Sequence, residues 1–251
     1  MKLHSVLVVV AVLLSCLAAV AFGKTTGHVE KGFRLGIDLS TLRGDDARLP
    51  VPWQGSYNNG ASTASPAKRT GFAAAAYLFY AFNPKAGLES ELWYVTKGAK
   101  YSGSDAVEID LNSTTGNVRY QASGWTATRR INYIESPLLL RITPHAGSSV
   151  NPYLIGGPAL AFNLGGKLTT ETTTPFVPDP SLRVSTEEDL WADINRLEVG
   201  AVVGAGLQIP AGSSRMSLEG RYTWGLSSVD GSSQGADMKN GTLVLSAGLG
   251  F

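Results

Sequence analysis

Cysteine is all but missing from this chain: Cys16 is the only one in 251 residues. It falls in the apolar stretch at the N-terminus, so a chain that loses that stretch has no thiol, which excludes disulfides and thiolate metal sites. Charge is sparse and balanced. Setting Lys2 aside, 20 of the 21 basic residues remain against 20 acidic ones, which leaves no basic field to attract nucleic acid. Beyond residue 23 no run of 18 apolar residues occurs, so no transmembrane helix is expected. Histidine is limited to three residues, His4, His28 and His145. No His-Glu-x-x-His, Gly-x-Ser-x-Gly or phosphate-loop pattern is present. The glycines from Gly200 to Gly206 lie inside a strand pattern, where they relieve crowding. The sequence therefore assigns no catalytic, cofactor-binding or metal-binding residue, and the chain is expected not to be an enzyme.

What is present begins with an address. Lys2 and His4 precede an apolar run from Val6 to Val20, and Ala19-Val20-Ala21 and Ala21-Phe22-Gly23 are small-x-small cleavage patterns. Residues 1–23 read as a signal peptide, 24–31 as an N-terminal periplasmic tail and 32–251 as one domain. The exact cleavage site stays open.

The domain alternates with period two in eight segments. These are Gly32 to Leu42, Gly71 to Phe82, Gly87 to Lys97, Arg130 to Ile142, Pro152 to Leu164, Arg196 to Ile209, Ser214 to Leu226 and Thr242 to Phe251. In the last, Leu243, Leu245, Ala247, Leu249 and Phe251 share one face, and Thr242, Val244, Ser246, Gly248 and Gly250 the other. Successive strand side chains point to opposite faces, so one side is greasy and the other small or polar. The outward face of the fifth segment is not decided by its sequence. Short turns rich in Pro, Gly, Asn and Ser (83–85, 144–149, 210–213) alternate with long polar segments (43–69, 99–129, 165–195, 227–240). Membrane barrels alternate short periplasmic turns with long external loops in this way. A chain without spanning helices crosses a bilayer only as a closed barrel, because lipid cannot satisfy open strand edges.

The expectation is thus an all-β fold: an eight-stranded antiparallel up-and-down transmembrane β-barrel of the outer membrane, preceded by a signal peptide. Tyr80, Phe82, Tyr94, Tyr222, Trp224 and Phe251 lie near strand ends on the apolar face, where an interfacial aromatic girdle belongs. A soluble periplasmic ligand-binding barrel would use the same strands with the apolar face turned inside.

The segment Ile131-Asn132-Tyr133-Ile134-Glu135-Ser136-Pro137-Leu138-Leu139-Leu140-Arg141 resembles the PorT-like outer-membrane β-barrel proteins of Bacteroidota and relatives. Gly36 to Leu42, Glu91 to Lys100, Pro152 to Pro158 and Glu219 to Leu226 are similar to further strands of that family, in order. The resemblance covers the strands and not the long loops. It implies fold and location, and implies little about activity. Ser136 departs from the family's aliphatic residue. Pro137 has no N–H for the ladder, so a bulge or break is expected there.

On the inward face the pattern places Arg34, Lys97, Arg141 and Arg221 with Asp38, Glu89, Glu91, Glu135, Glu198 and Glu219. An eight-stranded barrel is barely wide enough for its own side chains, so these charges must pair, as a structural lumen network. A narrow ion or small-solute channel is the alternative. Phe251 is the expected C-terminal assembly signal. The expected partners are outer-membrane lipids, the barrel assembly machinery and an extracellular or envelope protein met by the loops; the barrel is expected to be a monomer. Asp45 and Asp46, and Glu187, Glu188 and Asp189, read as solvated loop charge, and 169–174 as an extended loop. Asn112 and Asn240 open Asn-x-Thr glycosylation patterns.

Overall fold

The computed structural model describes residues 28–50, 63–110, 118–144, 149–173, 183–190, 194–231 and 237–251. The signal peptide, Asn112 and His145 lie outside them. The strands are β1 (His28–Arg43), β2 (Leu49–Pro50), β3 (Thr63–Ala64), β4 (Arg69–Asn83), β5 (Ala86–Asp110), β6 (Val118–Ile142), β7 (Asn151–Thr173), β8 (Arg183–Asp189), β9 (Leu197–Ala211), β10 (Ser214–Gly225) and β11 (Lys239–Gly250). Nine of them form one antiparallel sheet, and β2 and β3 pair separately. Starting at β1, the pairings run through β4, β5, β6, β7, β9, β10 and β11 and return to β1. Each of these eight strands therefore has a neighbour on both edges, and β8 adds only to the far half of β7.

The eight sequence segments correspond to these eight strands, with different ends. β1 starts at His28, so residues 28–31, expected as periplasmic tail, are strand. They pair with β4 from His28↔Ala81 to Lys31↔Leu78. The long segments between strands are not all loop. β5 and β6 run 25 residues each and stay paired from Gly98↔Arg130 out to Asp110↔Val118. Residues 169–173, expected as loop, are strand as well, and Glu187 to Asp189 sit in β8. Thr and Ser alternation satisfies a two-sided exposed ribbon as readily as a loop, which is why polarity alone misjudged them. A four-stranded sheet of β5, β6, β7 and β8 thus continues beyond the ends of the shorter β10 and β11, which have 12 residues each.

The facing is apolar out. Phe33, Leu35 and Ile37 of β1 are 60, 62 and 51% exposed, while the intervening Arg34 and Asp38 are 1 and 0%. β9, β10 and β11 repeat this, with Val203, Leu207, Leu218, Leu245 and Leu249 exposed. β7 resolves the undecided segment: Tyr153, Ile155, Ala159 and Ala161 are buried, and Leu154, Leu160 and Leu164 point out. A soluble barrel would need the reverse, so the soluble alternative is overturned. Pro137 brings no register change. The β5–β6 ladder lapses between Ser90↔Leu138 and Trp93↔Glu135 and resumes in the same register. The shift in β6 lies instead at Asn132/Tyr133, against β7. Gly206 leaves space that Tyr153 fills; a Cβ there would meet the tyrosine ring.

Candidate functional site: a charged lumen under an apolar lid

Inward-pointing residues of eight strands converge on one axis. All ten charged side chains expected there are buried, between 0 and 5% exposed. At the short-turn end, Glu89 and Glu91 of β5 face arginines from three other strands. Arg34 Nη1 lies 2.6 Å from Glu89 and also bonds Glu91. Arg141 Nη1 reaches the other oxygen of Glu89 at 3.1 Å. Arg221 Nη2 donates to Glu91 at 2.8 Å, and its Nε donates to Glu219 at 2.6 Å. Neutral donors join the same carboxylates: Trp93 Nε1 to Glu91 and Tyr153 hydroxyl to Glu219, each at 2.9 Å. Charge-assisted bonds of this kind are the strong ones.

Sequence reasoning missed Glu30, because it was assigned to the tail. Glu30 is 2% exposed. Its carboxylate accepts from Tyr77 at 2.8 Å, from Gln208 at 2.9 Å and from the rim residue Arg215 at 2.5 Å. The signal was available, since Glu30 shares the parity of Arg34 and Asp38. Inward aromatic rings flank the arginines as well. Arg34 stacks on Tyr77 at 4.2 Å, Arg141 on Phe79 and Tyr153 at 4.7 and 3.9 Å, and Arg221 on Trp93 at 4.7 Å. Rings supply cation–π attraction while filling space that water would otherwise take.

Farther along the axis the groups thin out. Lys97 pairs with Glu135, which also accepts from Thr223 at 3.4 Å. Glu198 is held by Tyr133 and by the Asn240 amide at 2.8 and 2.9 Å. Asn240 is 1% exposed, so its Asn-x-Thr pattern is not an accessible glycosylation site. Asp38 accepts from Thr96, at 3.4 Å. Two cavities touch the Lys97–Glu135 pair, each about 10 Å³, room for about one water.

At the long-loop end the axis turns apolar. Leu42, Ala99, Tyr101, Trp125, Ala127 and Ile131 from the strands meet Ala47, Leu190, Ile194, Val229 and Met238 from the connections, all within 8% exposure. Burial raises the pKa of the Tyr101 hydroxyl, which donates to Ala47 O at 2.9 Å. Asn195, between β8 and β9, ties down the segment that follows β10 through Ser228 O and Asp230 O at 3.0 and 2.7 Å. Asp46 accepts from the Asp237 backbone N–H at 2.7 Å, a structural use of one of the acidic loop residues. Among the described residues no group of three or more His, Cys, Asp or Glu is arranged to hold a metal ion. Phe251 is half-exposed on the outer wall, its ring 6.2 Å from Phe33.

A polar axis inside an apolar-out ring of strands inverts the usual soluble arrangement. The model of the outer membrane protein beta-barrel domain matches residues 22–231. The chain belongs to that family. No curated protein matches it. Among solved structures, this outer-membrane β-barrel is similar to the attachment invasion locus protein Ail of Yersinia pestis (15% identity, 88% of this chain and 98% of that one, TM-score 0.36). It is also similar to Neisserial surface protein A (12%, 88% and 95%, TM-score 0.40) and to OprG from Pseudomonas aeruginosa (13%, 90% and 98%, TM-score 0.36).

The lumen generates a stability prediction. Glu91 is shared by Arg34 and Arg221, so Glu91→Ala leaves two guanidinium groups facing each other without their common anion. The expected loss is about 3–5 kcal/mol, read by urea unfolding of the barrel in lipid vesicles. A loss under about 1 kcal/mol, the scale of an exposed pair, would place the carboxylate outside a buried network.

Proposed function

We propose that this outer-membrane protein is an eight-stranded transmembrane barrel of the PorT-like type, delivered by a cleaved signal peptide, whose lumen is a structural plug and whose work is done by its extracellular part. The observation that carries this reading is the filled axis: three buried arginines locked among three glutamates, with a mainly apolar lid above them. An ion would have to break several charge-assisted bonds and then cross a layer lined mainly by apolar side chains. Among the described residues, the cavities beside the lumen charges Lys97 and Glu135 hold about one water each, too small for a substrate, so the barrel is proposed not to be an enzyme. The β5–β8 sheet and the connections packed on it are the surface offered to an extracellular or envelope partner, on a monomeric barrel. Loops and strand extensions on a rigid scaffold are where such recognition concentrates.

The C-terminal strand supports a second part of the proposal, that Phe251 is read by the barrel assembly machinery. Its backbone N–H and C=O both pair with Lys31, at 2.8 and 3.1 Å, so the last residue marks the seam where β11 meets β1. Its half-exposed side chain meets the Phe33 ring and the Lys31 ammonium on the outer wall. Deleting Phe251 is therefore expected to lower the amount of heat-resistant barrel recovered from outer membranes while leaving refolding in detergent intact. Unchanged recovery would remove the assembly role.

The plug is tested by single-channel recording of the chain refolded into a planar bilayer. A stably inserted, silent barrel is expected. Reproducible conductance that changes in Glu89→Gln or Arg141→Gln would make the lumen a conduit and replace this reading by the narrow channel.

A further inference from the structure

We propose that the outward cations of the β5–β7 sector, Lys100 and Arg130 with Lys167 beside them, bind the phosphate groups of anionic lipids in the leaflet on the long-loop side. The proposal rests on the transmembrane reading above. Lys100 and Arg130 are exposed, and each alternates with buried neighbours: Ala99 and Tyr101 in one case, Ile131 in the other. Both side chains therefore leave the barrel on its outer face. The pairs Gly98↔Arg130 and Lys100↔Thr128 make them diagonal neighbours, about 7–8 Å apart on a shared face. Arg130 lies opposite Lys167 across β6 and β7.

Height decides what this patch would meet. Arg130 stands ten residues along β6 from the outward Leu140, a strand path of about 33 Å. At the tilt of barrel strands this is roughly 25 Å of vertical rise, the height of the apolar band. Just below, Tyr94 donates its hydroxyl hydrogen to Asn132 Oδ1 at 3.3 Å, and Arg130 Nε donates to the same oxygen at 3.3 Å. An aromatic followed outward by a cation is the order of groups at a membrane–water boundary. Lys167 lies 2.8 Å from Glu187 in an exposed ion pair, with Asp189 opposite it across β7 and β8. The ion pairs among the described residues do not include Lys100 or Arg130. The opposite sector differs: the outer ends of β9 and β10 present Leu197 and Trp224, and Lys239 of β11 is occupied by Asp237 at 2.7 Å. Phosphate suits the vacant pair, since guanidinium and ammonium groups both donate to its oxygens.

The test places the barrel in phosphatidylcholine nanodiscs with a minor fraction of diphosphoryl lipid A and counts lipid A retained per barrel by native mass spectrometry. Wild type is expected to retain it. In Lys100→Gln/Arg130→Gln retention should fall roughly tenfold or more, as expected for removing two membrane-facing cations, while Lys239→Gln retains as much as wild type. Lys100→Gln alone, at an exposed side chain, keeps the test open if the double variant does not insert, with a smaller loss expected. Equal retention in the variants, an equal loss in Lys239→Gln, or full displacement of lipid A by inorganic phosphate would each overturn the proposal. A wild-type chain that never enters phosphatidylcholine discs would overturn the transmembrane reading instead.

Discussion

Eleven ionisable side chains, Glu30 and the ten of the inward pattern, are buried in a ring whose width leaves room for side chains and little else. Each would be ruinously costly alone, so their positions are not independent: Glu91 needs Arg34 and Arg221, Glu89 needs Arg34 and Arg141, and Glu30 needs Gln208 and Tyr77. These bonds tie β1, β4, β5, β6, β9 and β10 together across the axis, at right angles to the ladder bonds that tie neighbours. The strand register is consequently fixed twice. A one-residue slip of any strand would turn its charges to the outer wall and its leucines into the network.

The remaining inward residues follow from that filling. Rings are placed where arginines need a flat neighbour, and glycines such as Gly206 where a ring needs the room. Toward the long-loop end the inward strand residues are mostly apolar, Arg129 apart, whose Nη1 donates to Met238 Sδ at 2.8 Å, and the connections close over Tyr101 and Trp125 as a small core. The charged layer and the apolar layer obstruct the axis by different means. One does so by bonds that must be broken, the other by close packing of mainly apolar side chains.

Strand positions and facing were legible because a lipid-spanning wall enforces strict alternation: Leu243 to Phe251 and Leu197 to Ile209 could be sorted into faces by parity alone. The ten charged residues followed from the same rule. Glu30 escaped because the alternation is read from Gly32, four residues after the strand begins at His28. The fifth segment was ambiguous because both of its faces carry small or aliphatic residues, Ala159 and Ala161 inside against Leu160 and Leu164 outside. The extension of β5, β6 and β7 was hidden because beyond the membrane neither face is forced to be apolar. The lid was hidden because its members, from Leu42 to Met238, come from distant connections that no local period links.

The central claim is that lipid lies on the apolar side of each strand and charge on the other. Val202 and Val203 of β9 put it to the test without any mutation: they are adjacent, chemically identical, and 4 and 47% exposed. Solid-state NMR of the barrel in bilayers, with magnetisation transferred from acyl-chain protons to valine methyl groups, distinguishes them. The account predicts strong transfer to Val203 and little to Val202. Transfer of equal strength to both, or the stronger transfer to Val202, would contradict it.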